Sequence, residues 1–192
     1  MGEPTAPEPV KLFCAVLAGR AEWLDRACTA LEGELGPVDM ASDTWAFDCT
    51  DYYEKEMGPG LRRRIYSFAR LIDPAELVEI KLATNRLEQR LAAEIACGLP
   101  RPVNLDPGYV SASKLVLATT KDYTHRVYMR DGIYAEATLR WRRGRFEPWE
   151  WTYPDYRKAE YHAFFGRMRG AYVQLRREQG PARGNKEAQS GD

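Results

Sequence analysis

Apolar positions recur along this chain in two rhythms, and together they outline a sheet with helices. Lys11 to Ala18 is an almost unbroken apolar run and reads as a buried strand. Ala21 to Leu35 carries Leu24, Ala27, Cys28, Leu31 and Leu35 at helical spacing, and Gly36-Pro37 stops it. Thr44 to Phe47 and Arg64 to Ile72 fit short strands. Asp73-Pro-Ala-Glu76 is a helix start, with Asp at the N-cap, Pro at the first helical position and Glu closing a capping box. Leu77, Ile80, Thr84, Leu87 and Leu91 then form the buried stripe, and Gly98 and Pro100 end the helix. Ser111 to Thr120 is read as a short helix. Asp131-Gly132 and Arg143-Gly144 mark two hairpin turns. Two-residue turns there set Met129 against Tyr134, Val127 against Glu136, Arg140 against Glu147, Thr138 against Trp149 and Glu136 against Trp151. A last helix from about Arg157 to Arg177 presents Tyr161, Phe164, Phe165, Met168, Tyr172 and Leu175. The expected fold is a single α+β domain, an antiparallel-rich mixed sheet with helices mainly on one face and a C-terminal helix. Residues 1–9 read as a flexible lead, 10–178 as the domain and 179–192 as a disordered tail.

Charge adds little direction at the level of the whole chain. Lys plus Arg and Asp plus Glu both number 28, so no global field draws nucleic acid or an anionic membrane. The longest apolar run, Leu12 to Ala18, is too short to cross a bilayer. Cys14, Cys28, Cys49 and Cys97 are widely spaced, without a C-x-x-C or Cys/His pair, which argues against zinc and for free thiols in the cytoplasm.

Candidate chemistry is concentrated between Asn104 and Arg157. Asp106, Lys121, Asp122, His125 and Arg126 form an acid/base and anion-binding group at the entry to a strand. Under the hairpin register His125 and Glu136 share a face, so Glu136 is expected to orient the imidazole. The same register lets Arg126 and Glu150 meet over Ala137 as an ion pair. Thr152-Tyr-Pro-Asp-Tyr-Arg157 precedes the last helix; Asp155 suits its cap, and Tyr153 and Arg157 are candidates to close over a ligand. Asp48, Asp51, Glu54 and Glu56 supply oxygens of the kind Mg2+ takes, although no metal-binding motif orders them, and a solvated acidic turn is the simpler reading. Arg62-Arg63-Arg64 and Arg140, Arg142, Arg143 and Arg145 are basic patches, with Trp149 and Trp151 near the second.

Several blocks occur together in order: DCTDYYEKEMG (48–58), SFARLIDPAELVEIKLATNRLE (67–88), NLDPGY (104–109), KLVLATTKDYTHRVY (114–128), GIYAEATL (132–139) and TYPDYR (152–157). Through them the chain resembles the bacterial domain-of-unknown-function family numbered 4416, from about Pro7 to Leu175. It departs from the family in the Ala-rich stretch Leu91 to Pro102 and in its tail. The resemblance implies no activity, although members often carry the label "GTP-binding protein". The usual GTPase machinery is absent: there is no G-x-x-x-x-G-K-[ST] string, and Lys121-Asp122 lacks the spacing of [NT]-K-x-D.

The expectation is therefore a cytoplasmic protein that binds a small anionic molecule, a nucleotide among the candidates, with room for general acid/base chemistry. His125 is cast as proton carrier, Glu136 as its orienter, Lys121 and Arg126 as anion contacts, and Asp106 and Asp122 as polar contacts. The alternative is an RNA- or protein-binding module that uses the arginine-rich hairpin with Trp149 and Trp151.

Overall fold

The computed structural model describes residues 2–179. Nine strands and four helices follow in the order β1 (Val10–Ala18), α1 (Ala21–Leu35), β2 (Val38–Ala41), β3 (Trp45–Ala46), α2 (Glu54–Met57), β4 (Arg62–Ile72), α3 (Leu77–Ile95), β5 (Val103–Val110), β6 (Lys114–Thr119), β7 (Val127–Arg130), β8 (Ile133–Arg142), β9 (Arg145–Pro148) and α4 (Ala159–Gln179). The strands form one antiparallel sheet in the order β2-β4-β1-β5-β6-β8-β7, with β3 on β4 and β9 on β8. The protein is thus α+β with an antiparallel sheet. Residues 2–9 hold no helix or strand, yet the end of this lead is tied down: Glu8 pairs with Arg176, and Pro9 accepts from the Tyr172 hydroxyl at 3.0 Å. The tail expected over 179–192 lies, from residue 180 on, outside the described residues.

The apolar run of β1 is continuous because this strand is central and covered on both faces. Leu12, Cys14, Val16 and Ala18 meet α1 and α3, through Leu24, Ala27, Leu31, Ile80, Leu87 and Leu91. Phe13 and Ala15 face the other way, onto Phe164, Phe165 and Met168 of α4. Two of the long helices therefore share a face and the third covers the opposite one. Before α3, Asp73 accepts from the Ala75 N–H at 2.8 Å and Glu76 returns a bond to the Asp73 N–H at 2.9 Å, the capping box expected from the sequence.

Three expectations are corrected. Ser111 to Thr120 is not a helix but contains β6, and β2 and β5 are additional strands. A bulge between Tyr128 and Arg130 shifts the first hairpin, so Val127 faces Ala135, not Glu136. The Arg140/Glu147 register holds, but β9 ends at Pro148, before either tryptophan can pair.

The sheet splits at one place. β5 pairs with β1 along its whole length but meets β6 only at Gly108–Val110 against Leu117–Leu115. Beyond Gly108 the two strands diverge, while β6 runs on along β8 to Thr119. The abandoned edge of β5 is satisfied from α3. The Leu105 N–H donates to Glu88 Oε1 at 2.7 Å, and the Leu105 carbonyl accepts from Lys81 Nζ at 2.9 Å. Buried backbone groups need partners, and here two helix side chains replace a strand.

Candidate functional site

The gap between β5 and β6 opens into a cavity of about 1000 Å³. β5 contributes Asn104 and Asp106, β6 contributes Leu117, Ala118 and Thr119, and α3 contributes Lys81, Asn85 and Glu88. Arg63 enters from β4. Strand alternation turns it to the α4 side, beside Leu17 of β1 and Trp45 of β3. Its Nη1 donates to Asp106 Oδ2 at 3.1 Å across β1, and its Nη2 lies 3.6 Å from Asp155 Oδ2. The Phe47 ring sits under the guanidinium, 5.0 Å from it. Asp106 also accepts from Asn104 Nδ2 at 2.6 Å, and its other oxygen is 3.7 Å from Lys81 Nζ. Arg101 continues the chain of contacts, donating to Asn104 Oδ1 at 2.9 Å and forming an ion pair with Glu56 at 2.8 Å.

The opposite wall is built on β8. A bulge between Leu115 and Val116 of β6 against β8 lets Glu136 share the face of Leu139, so a carboxylate lies buried where strict alternation would put an outward residue. Glu136 accepts from Arg126 Nε at 3.0 Å and from Thr138 Oγ1 at 3.0 Å, with His125 Nε2 at 3.2 Å. Arg126 also donates from Nη1 to the Lys121 carbonyl at 3.0 Å and from Nη2 to the Tyr153 hydroxyl. At the mouth, Lys121 Nζ donates to the Tyr52 hydroxyl at 2.7 Å.

A family model described as a domain of unknown function (DUF4416) matches residues 8–172. The chain belongs to the DUF4416 family. No curated protein and no solved structure matches it. The DUF4416 match spans every residue that lines the cavity, from Phe47 to Tyr156.

Of the residues singled out in the sequence, Asp106, Lys121, Arg126, Glu136 and Tyr153 line this cavity. His125, Asp122 and Arg157 do not. His125 touches Glu136 but is stacked on Trp151, with ring centroids 5.4 Å apart and planes 12° apart. Asp122 is exposed on the loop after β6. Arg157 braces its own loop, donating to the carbonyls of Trp149, Glu150 and Thr152 at 3.0, 2.7 and 2.8 Å. Arg126 pairs with Glu136 rather than Glu150. The acidic stretch 48–56 disperses: Asp48 meets Lys158 at 2.9 Å and Glu56 meets Arg101. Among the described residues no group of three or more His, Cys, Asp or Glu is placed to hold a metal ion.

Arg63, Lys81, Glu88, Arg101 and Asn104 also line the cavity and are not among the site residues expected from the sequence. A signal existed on α3. Lys81, Asn85, Glu88 and Gln89 recur at helical spacing beside the apolar stripe, a polar strip on a helix whose neighbouring face is core.

Burial and charge set the protonation of the wall. Burial pulls the Arg63 pKa down, but Asp155 and Asp106 more than reverse this, so the guanidinium stays charged. Burial raises the Asp106 value, and Lys81 and Arg63 more than offset that, holding it below the ordinary carboxylate range. Asp155 goes up, through burial against the pull of Arg63. Burial lifts Glu88 to about 7, despite Lys81 and the Leu105 N–H. Its folded value exceeds its ordinary 4.5, so the folded protein binds the extra proton. The stability from Glu88 is therefore full below about pH 4.5 and falls as pH rises through about 7. Glu88→Gln removes this fall. Allowing for partial exposure of the carboxyl, it stabilises the protein by about 2 kcal/mol at pH 8 and by almost nothing at pH 4.5. Urea denaturation at the two pH values measures the difference; an equal effect at both would contradict it.

Proposed function

We propose that this protein binds a small anionic ligand in the cavity between β5 and β6, with nucleotides within the class. The carrying observation is the convergence of Arg63, Lys81, Arg101, Lys121 and Arg126, drawn from well-separated parts of the chain, on the wall of one cavity. The carboxyls of Glu88, Asp106, Glu136 and Asp155 offset these cations only in part, because Glu88 is half protonated near neutral pH. Arg63 Nε and Arg101 Nε are buried and have no acceptor among the described residues, so two donors of these cations are left for a ligand or water. A volume of about 1000 Å³ is at the upper end of the roughly 300–1000 Å³ common for small-molecule sites. Tyr52, Tyr53 and Tyr153 bring aromatic surface to the cavity lining, which suits a ligand with a planar group. The setting we propose is the bacterial cytoplasm: the four cysteines are unpaired, and no helix of the described residues is long and apolar enough to cross a membrane. Acid/base chemistry is part of the proposal, with Glu136 in the wall and His125 behind it.

Thermal shift against GTP, ATP and other phosphorylated metabolites, with and without Mg2+, tests this reading. A ligand at 100 times its Kd stabilises the fold by about 2.7 kcal/mol, a shift of several degrees. Lys121→Ala, an exposed change at the mouth, reduces that shift without unfolding the protein. No shift with any of these compounds would overturn the assignment.

A second reading has its own support. Tyr123, Val127, Tyr128, Met129 and Trp151 are exposed near the β7 edge, and Arg140 lies 4.4 Å over Trp149, which stacks on Trp151. That surface suits RNA or a protein partner. RNA binding that weakens steeply with salt would favour it.

A further inference from the structure

We propose that Glu88 is the proton-exchanging group of the cavity: its carboxyl meets an oxyanion of the ligand in protonated form, so that binding takes up one proton. The inference rests on the anionic-ligand reading above and names the group that makes the binding pH-dependent.

The geometry assigns the proton to a particular oxygen. Glu88 Oε1 already accepts from the Leu105 N–H at 2.7 Å, the bond that replaces the missing β6 partner. A carboxyl oxygen committed as an acceptor to a backbone amide leaves the acid proton to the other oxygen. Oε2 has no hydrogen-bond partner among the described residues and is not sealed within the wall. The neutral acid therefore presents an O–H to the cavity and donates to whatever acceptor arrives. Lys81, seven residues earlier on the same helix, lines the same wall, and its Nζ keeps a donor beyond Leu105 and Asp106.

The charged and titratable groups around Glu88 come from three other parts of the fold. β5 supplies Asp106, the segment before β5 supplies Arg101, and β1 supplies the Cys14 thiol, which burial and Asp106 hold in its neutral form. On α3 itself Lys81 is the charged group that acts on it most strongly. Burial outweighs the two cations and places Glu88 at about 7, so protonation at neutral pH costs little. An incoming oxyanion adds negative charge beside the carboxylate and favours the acid form further. A cationic ligand would drive the opposite change and expel the proton, so the sign of the proton count distinguishes the two.

Sulfate is the probe, because it stays a dianion throughout the range. It is titrated calorimetrically into the full chain at constant ionic strength, at pH 6, 7 and 8, with buffers of different ionisation enthalpy at pH 7. Expected are net proton uptake and a Kd about tenfold weaker at pH 8 than at pH 6. Glu88→Gln binds with a Kd that varies less than twofold over the same range. Sulfate binding that ignores pH in the unmodified protein, or that releases protons, overturns the role of Glu88 and leaves the anionic cavity standing. Absence of sulfate binding at every pH sinks the anionic cavity, and the Glu88 proposal with it. If Glu88→Gln does not fold, the proton count of the unmodified protein decides alone.

Discussion

Replacing Arg63 by Met is expected to destabilise the protein by about 4 kcal/mol at pH 7, a large part of the stability of a domain this size. Met fills much of the volume of the arginine stem, so the loss reports charge rather than a cavity. The guanidinium sits between two carboxyls that depend on it unequally. Asp106 keeps Asn104 and Lys81, but Asp155 is buried and its Oδ2 has no hydrogen bond to fall back on. Removing one partner of a buried pair costs more than the pair contributes, because the survivor remains charged in a poor solvent. Two consequences separate this account from loss of packing. Arg63→Met combined with Asp155→Asn recovers at least about 1 kcal/mol, since the stranded charge is gone. The penalty also shrinks with acid. Asp106, held low in the native protein, contributes stability that is present above about pH 4 and is lost as pH falls through its folded value. Without Arg63 that contribution is already reduced, so the two stability curves converge at low pH. Urea denaturation from pH 2 to 8, which spans the acid window of Asp106, makes the comparison. A penalty below about 1 kcal/mol at pH 7, or one constant across the range, would refute the mechanism.

The parts of the fold legible in the sequence were those whose local pattern and tertiary role agree. The β1 run is central, α1 and α4 each bury one stripe, and Asp73 with Glu76 makes a cap that needs no tertiary partner. β5 was hidden because Asn-Leu-Asp-Pro-Gly-Tyr has the composition of a turn. It survives as a strand because the Leu105 N–H and C=O point away from β1, and by two-residue alternation the position of Pro107 does too, towards the split where no strand requires an amide. β6 was misread as a helix because Leu115 to Ala118 is buried on both faces, and an apolar run without alternation fits either period. Bulges at Tyr128/Arg130 and opposite Val116 are single-residue events that the pattern of hydrophobicity does not announce.

The site was half legible for a related reason. Glu136, Arg126 and Lys121 stand near one another in the chain, so their clustering was visible. Arg63 stood in a run of three arginines and read as a solvated patch, whereas alternation on β4 buries it and leaves Arg62 exposed. Asp106 and Arg63 meet only because β1 lies between their strands, and Lys81 and Glu88 reach the cavity only because β6 turns away. These are properties of topology, with partners 17 to 43 residues apart for these bonds.

That dependence on the split makes Gly108 the most exacting position in the sheet, and Gly108→Ala is expected to destabilise the protein by about 3 kcal/mol or more. In an ordinary strand the same change would stabilise by roughly 0.5–1 kcal/mol, because alanine has less backbone freedom to lose on folding. Gly108 is the first residue of β5 to face β6, next to the split, opposite Leu117 and beside Phe13 of β1. A Cβ there would lie 2.4 Å from the Val116 carbonyl oxygen and 2.7 Å from the Phe13 ring. Phe13 is held against Phe165 of α4, their rings 5.0 Å apart, so the ring has nowhere to go without disturbing that helix. The carbonyl belongs to backbone and moves only if β6 moves. Overpacking of this kind normally costs about 1–3 kcal/mol, and a clash with main chain lies at or beyond the top of that range. Relief by displacement of β6 would also widen the split, so surviving protein should bind sulfate more weakly as well as unfold at lower urea. Urea denaturation of Gly108→Ala gives the sign directly: a gain in stability would show that β5 and β6 do not approach as closely as the cavity requires.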